Sequence, residues 1–216
     1  HGYQKMSGSL KETKLNRFIQ VNNFLSQQEL NSFNYNNKEE FKSDSGNLIL
    51  YHQELSNTIL EKIKKCIGEF TIRNAHIYNL KQPYRLHCDS GYTNNSYYTI
   101  IIPLDEKPQG GLFIMNQWSD KAYSLDDYYT QDYQSVLSFE DRKENIHEFN
   151  PDISLPDTLD FQHIKDKRGF SVKDYIQYEY NTAIMYPGKY YHCSQNVENF
   201  NSKKSLAIFT NETLYS

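Results

Sequence analysis

Features that define several specialised protein classes are scarce or missing in this sequence. Only three of its 216 residues are cysteines, and none forms a CxxC pair. An odd number of widely spaced cysteines argues against a disulfide framework and is typical of reduced thiols. The longest apolar run, Ile100 to Leu104, is far shorter than the roughly 18 residues of a membrane span. The N-terminus has no charged-then-apolar secretory pattern. We therefore expect a cytoplasmic protein with no membrane segment.

Positive charge is limited as well. The formal net charge is −4, whereas a nucleic-acid surface normally shows a basic stripe, so nucleic acid is a disfavoured partner. The chain has no internal repeat and no low-complexity linker, and its length suffices for one hydrophobic core. We expect a single domain over 1–216. No pattern in the chain predicts an oligomeric state.

The N-terminal part, about 16–70, is predicted to be mainly a helical support. A short strand is expected at Phe18–Val21. Ser26-Gln-Gln-Glu29 is a capping box, which predicts that a helix begins there. Apolar residues recur at helical spacing over 53–69, with lysine and glutamate between them, which predicts an amphipathic helix.

From Thr71 onward the pattern predicts short strands. They are Ile72–Leu80, Tyr97–Leu104, Leu112–Met115 after a Gly-Gly turn, Tyr180–Tyr186 and Ser205–Thr210. The second is apolar on both faces, which is typical of a central strand. Helices followed by many strands without βαβ alternation predict a mainly β fold with supporting helices (α+β). Its core would be a double-stranded β-helix, a jelly roll of the cupin-like kind.

A long segment, about 116–177, is rich in Asp, Glu, Tyr and Ser and carries Trp118. It is too long for an ordinary connection between strands. We interpret it as an insertion that acts as a lid over the mouth of the barrel, with Trp118 facing the substrate. The alternative is a self-packed surface loop.

His87, Asp89 and His192 are the candidate metal ligands. His87 and Asp89 lie two positions apart, so on an extended chain both can point at one centre. His192 follows a separate strand and a Pro-Gly turn. Two histidines and one carboxylate on one face form the ligand set of non-haem Fe(II) oxygenases, which leaves open positions on the metal. Cys88 and Cys193 should project to the opposite face and be buried as small apolar residues.

Lys203 and Ser205 are candidates for binding an anion. They share a face of the last strand, and a buried cation with a nearby hydroxyl is what a dicarboxylate co-substrate requires. The adjacent Lys204 is the alternative, and a solvated turn is the alternative role for Lys203. Tyr78 and Tyr84 precede His87 and could line the same site, or could be ordinary packing residues of amphipathic strands.

The run from Ile77 to Thr210, which contains these motifs, resembles the prolyl-4-hydroxylase-like branch of the Fe(II)- and 2-oxoglutarate-dependent dioxygenases. The resemblance implies that iron is held by the two histidines and Asp89. It implies that the distal carboxylate of 2-oxoglutarate is held by Lys203, Ser205 and Tyr78, and that Tyr84 faces the substrate. The implied reaction uses O₂ to hydroxylate an aliphatic C–H bond. Because halogenating relatives lack the carboxylate ligand, Asp89 favours hydroxylation.

Three departures from the family pattern bear on the substrate. Lys203 stands where Arg is commoner, Ser96 stands where some prolyl hydroxylases have a substrate-contacting Arg, and the insertion is unusually long. The last two weaken an assignment to peptidyl proline. A peptide, a free amino acid and another small molecule therefore stay open as substrates. A nucleobase demethylase is disfavoured by the acidic charge, and a non-catalytic jelly-roll binding module is the alternative from another class.

Overall fold

Two antiparallel sheets form the centre of the protein. The structure is a computed structural model that describes residues 18–33, 49–89, 96–121, 137–200 and 203–213. The larger sheet has the strand order β1-β7-β4-β9-β3-β2, and the smaller has the order β6-β5-β8. The strands are β1 (Ile19–Val21), β2 (Ile49–His52), β3 (Phe70–Leu80), β4 (Ser96–Pro103), β5 (Gly111–Trp118), β6 (Val172–Gln177), β7 (Ala183–Tyr186), β8 (Tyr190–Ser194) and β9 (Lys203–Glu212). The predicted jelly-roll core is confirmed.

Three α-helices accompany the sheets: α1 (Gln27–Ser32), α2 (Asn57–Ile67) and α3 (Phe139–Asn145). Helix α1 begins at the predicted capping box, in which the Ser26 hydroxyl accepts from the Glu29 amide and the Glu29 carboxylate accepts from the Ser26 amide. Helix α2 is shorter than the predicted 53–69. It begins only after Ser56, whose hydroxyl accepts from the Ile59 amide, and it ends at Gly68, where φ is 88°.

Helices α1 and α2 cover one face of the larger sheet. Ile59 and Ile63 of α2 are fully buried against this face. Central strand β4 supplies Ile100 and Ile102 to the same cluster, whereas the alternate residue Ile101 contacts the cluster between the two sheets. The strand is therefore apolar on both faces because both faces are covered.

The larger and the smaller sheet pack against each other through a second hydrophobic cluster. The cluster there contains Leu112, Ile114, Ile176, Tyr178, Ile184, Tyr186 and Tyr190. Its residues come from β5, β6, β7 and β8, so it joins the smaller sheet to the larger one. Strands of both sheets flank the side chains at the open end of the space between the sheets. Such side chains are held rigidly, as a functional site requires.

The predicted bounds of two strands need correction. The strand expected at Tyr180–Tyr186 begins only at Ala183, because Asn181 adopts a left-handed conformation with φ of 54°. The strand expected at Leu112–Met115 continues to Trp118. Strands β2, β6 and β8 have no counterpart among the strands predicted from the sequence.

The prediction that 116–177 lies outside the barrel is wrong at both ends. The first residues, up to Trp118, belong to β5. The last six form β6, which pairs antiparallel with β5 from Leu112↔Ile176 to Met115↔Val172. The alternation of apolar residues in β6 is too weak to reveal it, since only Ile176 of this strand is buried.

The middle of the insertion supports the smaller sheet from outside. Over 137–171 the buried residues Leu137, Ile146, Leu155, Phe161, Ile164 and Phe170 pack against Leu86, Cys88, Met115, Tyr191 and Cys193. Phe170 is fully buried and meets Tyr191 edge to face, with 5.2 Å between the ring centroids. Residues 137–171 therefore form a further layer of hydrophobic core outside the smaller sheet, and they are not a lid. The remaining residues of the predicted lid, 122–136, lie outside the described residues.

None of Cys66, Cys88 and Cys193 forms a disulfide bond. Cys88 and Cys193 are buried in this outer cluster, as predicted for small apolar side chains. Within the part of the chain that the structure describes, no helix is long and apolar enough to cross a membrane.

The supporting role of 137–171 predicts a stability effect. Phe170→Ala should lower the free energy of unfolding by about 3–5 kcal/mol, because it leaves a cavity in a packed core. Chemical denaturation measures this, and Leu159→Ala in the same segment is the control, since Leu159 is 44% exposed. A lid that closes over a site but supports no core would make both variants equally mild.

Candidate metal centre

His87 and His192 are brought together by a pair of backbone hydrogen bonds. The His87 amide donates to the His192 carbonyl at 3.1 Å, and the His192 amide donates to the His87 carbonyl at 2.8 Å. His192 lies in β8, whereas His87 lies in the irregular segment after β3 and forms only this isolated bridge. The Asp89 amide donates to the Gly188 carbonyl at 2.8 Å. The segment that carries His87 and Asp89 is therefore hydrogen-bonded to the hairpin that carries His192.

The predicted ligand atoms form one compact group. The nearest nitrogen and oxygen atoms of His87, Asp89 and His192 lie within 4.8 Å of one another. Asp89 Oδ1 is 3.4 Å from His87 Nε2, and Asp89 Oδ2 is 3.4 Å from His192 Nε2. The two imidazole centroids are 4.2 Å apart. No other group of this kind occurs among the described residues.

Both histidines have their second nitrogen engaged by the backbone. His87 Nδ1 is 2.8 Å from the Arg85 carbonyl, and His192 Nδ1 is 3.0 Å from the Tyr190 carbonyl. Since a carbonyl can only accept, each Nδ1 carries the proton and each Nε2 presents a lone pair to the centre. Metal-binding histidines are commonly fixed in this way.

Burial and neighbouring groups set the charge of His192 and Asp89. Burial in the cleft, with His87 beside it, lowers the pKa of His192 to about 4, so this imidazole is neutral at pH 7 and able to bind a metal. Burial alone would raise the pKa of the Asp89 carboxyl, but His192, His87 and a hydrogen bond from Thr99 hold that pKa well below its usual range. The site therefore presents the neutral His192 imidazole and the Asp89 carboxylate beside His87. This donor set suits a divalent transition metal such as Fe(II).

The same cleft contains the predicted anion-binding residues. It has a volume of about 560 Å³, counted to its open mouth, and Tyr78, Lys203 and Ser205 line it. The Lys203 side chain is buried at 5% exposure, with Nζ 3.4 Å from the Ser194 hydroxyl and 4.0 Å above the Tyr178 ring centroid. Among the described residues, no carboxylate lies within ion-pair distance of Lys203 Nζ. The Ser205 hydroxyl is buried and has no hydrogen-bond partner among the residues that the structure describes.

Lys204 is directed elsewhere. Its side chain is absent from the described lining of the cleft, and its backbone amide donates to Asp105 Oδ2 at 2.6 Å. Alternation along β9 explains the difference, because neighbouring residues of a strand face opposite sides. Of the two lysines, Lys203 is therefore the one that shares the cleft with the metal ligands.

The two residues predicted to face the substrate have different positions. Tyr84 lines the cleft, with its ring centroid 4.5 Å from that of His87. Trp118 does not line the cleft in the described part of the chain. It is the last residue of β5, where its indole stacks on His147 at 3.7 Å and lies under Lys189. The prediction for Trp118 assumed that β5 ended at Met115, and we correct it here.

The sequence analysis missed several residues that line the cleft, among them Ser194, Thr99 and Tyr186. Ser194 follows His192 by two positions on β8, so strand alternation could have revealed it. Thr99 is hidden in the apolar run of β4, and Tyr186 is one of nineteen tyrosines. Burial and the nearby Asp89 carboxylate raise the pKa of Tyr186 well above its usual value, so this phenol keeps its proton.

Comparison with known proteins shows the fold. No family model and no curated protein sequence matches this chain. HygX from Streptomyces hygroscopicus, solved with nickel and 2-oxoglutarate bound, is 8% identical with a TM-score of 0.51, over 100% of this chain and 89% of HygX. SnoK, a non-heme alpha-ketoglutarate-dependent carbocyclase from nogalamycin biosynthesis, is 10% identical with a TM-score of 0.50, over 94% and 82% of the two chains. The epimerase SnoN, solved with Fe³⁺, alpha-ketoglutarate and nogalamycin RO, is 7% identical with a TM-score of 0.50, over 94% and 81%.

The buried state of His192 predicts an acid-sensitive fold in the metal-free protein. The folded pKa of about 4 lies below the ordinary value of roughly 6.5 for histidine. Protons therefore bind the unfolded chain more readily, and stability that is present above about pH 6.5 is lost as the pH falls towards 4.

Denaturant unfolding at a series of pH values measures this loss. His192→Gln should flatten the dependence between these limits, whereas His147→Gln, whose side chain is half exposed outside the cleft, should leave it as it is. An unchanged slope in His192→Gln would contradict the prediction.

Proposed function

We propose that the protein is an Fe(II)- and 2-oxoglutarate-dependent dioxygenase that hydroxylates an aliphatic C–H bond. One observation carries the proposal: a buried lysine without a described carboxylate partner shares a cleft with a group of two histidines and one carboxylate. An uncompensated buried cation is costly, so the cleft suits an anion that binds beside the metal. A 2-oxo dicarboxylate meets both needs, because its keto acid end binds a metal and its other end is a free carboxylate.

His87, Asp89 and His192 would hold the iron. Three protein ligands leave three of six positions on an octahedral metal for 2-oxoglutarate and O₂. When bound, iron, 2-oxoglutarate and O₂ supply the oxidising chemistry, with succinate and CO₂ as by-products. The protein's part is to keep the His192 imidazole neutral, to keep Asp89 ionised, and to shield the centre from water. Exposure of the three side chains is 24% for His87, 9% for Asp89 and 5% for His192.

Lys203, Ser205, Ser194 and Tyr78 would hold the distal carboxylate of 2-oxoglutarate. Lys203 supplies the charge, and the unpartnered Ser205 hydroxyl supplies a donor. Ser194 already contacts Lys203 Nζ at 3.4 Å and would orient it. Tyr78 pairs with Ser205 across β3 and β9, so their side chains share one face of the larger sheet.

The substrate would enter past Tyr84. This ring stands beside His87, and the lining of the cleft also includes Ile101, Leu112 and Phe209, which suit an aliphatic group. We infer a small-molecule or peptide substrate. A single-stranded or duplex nucleic acid fits the net charge of −4 poorly.

The reaction predicts succinate formation that needs both Fe(II) and 2-oxoglutarate. His192→Ala should abolish it and leave the fold intact, because the variant removes one of three metal ligands. Mass spectrometry of succinate measures turnover, and circular dichroism checks the fold. A parent protein that forms no succinate with any candidate substrate would instead support a non-catalytic binding module, and full turnover in His192→Ala would refute the ligand assignment.

Replacement of Lys203 and replacement of the neighbouring Lys204 should affect 2-oxoglutarate binding differently. Lys203→Ala should raise the KM for 2-oxoglutarate by an amount equivalent to on the order of 2–4 kcal/mol, because it leaves a buried carboxylate unpaired. Lys204→Ala is the matched control, one residue away and directed out of the cleft, and should leave this KM nearly unchanged. The reverse result would mean that the register of β9 is shifted by one residue.

A further inference from the structure

A threonine is buried at the centre of the apolar strand β4. Thr99 is 0% exposed, between residues whose side chains pack on the helices, such as Ile100. Burying a hydroxyl among apolar groups is unfavourable unless the hydroxyl is hydrogen-bonded. Thr99 Oγ1 donates to Asp89 Oδ2 at 2.7 Å. The single polar group of this strand that reaches the cleft is therefore used on a candidate metal ligand.

Tyr186 is the partner of Thr99 on the neighbouring strand. The two residues are directly opposite each other in the antiparallel pair of β4 and β7. This antiparallel pairing places the two side chains on the same face of the larger sheet, and both line the cleft.

Tyr186 contacts another candidate ligand. Its ring meets the His192 imidazole edge to face, with 4.8 Å between the centroids and 62° between the planes. The tyrosine is 1% exposed and belongs to the cluster between the sheets. The buried Tyr186 ring therefore restrains the rotation of the His192 imidazole.

The Asp89 carboxylate needs such support, because its backbone is not part of a regular strand. The amide contact with Gly188 fixes the main chain but not the rotation of the carboxylate. Its two oxygens are equivalent in distance to the histidines, each 3.4 Å from one Nε2. Without a further contact, the carboxylate could turn and bind a metal through both oxygens, which would fill a coordination position that the reaction needs.

We propose that Thr99 is a positioning residue that holds Asp89 as a one-oxygen metal ligand, and that the Tyr186 ring positions His192. The Thr99 hydrogen bond occupies a lone pair of Oδ2 and fixes the plane of the carboxylate. The Tyr186 ring restrains the rotation of the His192 imidazole. Three coordination positions then stay open. The inference rests on the metal centre of the proposed function.

Binding of Co(II) alone tests the inference without turnover. Chelator competition gives the affinity, and the visible absorption of Co(II) reports its coordination number. Thr99→Val keeps the shape and removes the hydroxyl, so it should weaken Co(II) binding by about 10–100-fold and change the spectrum. Thr99→Ser retains the hydroxyl and should bind Co(II) close to the parent level.

Tyr186→Leu removes the ring beside His192 and should weaken Co(II) binding, whereas Tyr186→Phe keeps the ring and should bind Co(II) close to the parent level. A hydroxyl that serves the fold alone would instead lower the unfolding midpoint of Thr99→Val with no change in Co(II) affinity or spectrum.

Several results would overturn the inference. They are parent-like Co(II) binding and spectrum in Thr99→Val, or equal losses in Thr99→Ser and Thr99→Val. If Thr99→Val does not fold, Thr99→Ala takes its place in both comparisons. Equal losses in Tyr186→Leu and Tyr186→Phe would overturn the role of the Tyr186 ring. A parent protein whose Co(II) spectrum survives His192→Ala would overturn the metal centre itself. A parent that binds Co(II) at this centre but forms no succinate with Fe(II) would overturn only the oxidation chemistry, and the positioning roles would stand.

Discussion

The pair of backbone hydrogen bonds between His87 and His192 is the contact on which the candidate site depends. Two candidate ligands lie in an irregular segment that no sheet would hold in place by itself. By bridging to β8, this segment acquires the alternation of a strand. His87 and Asp89 then face the cleft, while Leu86 and Cys88 face the outer cluster. The same alternation on β8 sends His192 and Ser194 inward and Tyr191 and Cys193 outward.

The outer cluster explains why the insertion is long. The smaller sheet has only three strands, and the side away from the larger sheet would be exposed without a cover. Residues 137–171 supply that cover and pack behind the strands that carry the ligands. They also reach the substrate side, because His163 Nε2 contacts the Tyr84 carbonyl at 3.1 Å. Residues that support the strands in this way hold the side chains of the site in place, although they do not line the cleft themselves.

Much of the fold and the chemistry could be predicted from local patterns. The His-x-Asp spacing, the later histidine and the alternating Lys203 and Ser205 depend only on strand periodicity, and the structure brings them into one cleft. The Ser26 capping box is likewise a local signal. Tertiary contacts decided the rest. Strand β6 buries a single residue, so its sequence lacks alternation, and Trp118 was misplaced because the length of β5 depends on its partners. The local sequence does not indicate that Thr99 is a site residue, because its position depends on the pairing of β4 with β7.

The central claim is that one cleft binds both a metal and 2-oxoglutarate. A crystal structure with Mn(II) and 2-oxoglutarate, grown without oxygen, tests it most directly. The account predicts one anomalous peak between His87 Nε2, Asp89 and His192 Nε2, with the keto acid end of 2-oxoglutarate on the metal and the other carboxylate against Lys203 and Ser205. A metal bound elsewhere, or 2-oxoglutarate absent from this cleft at saturating concentration, would contradict it.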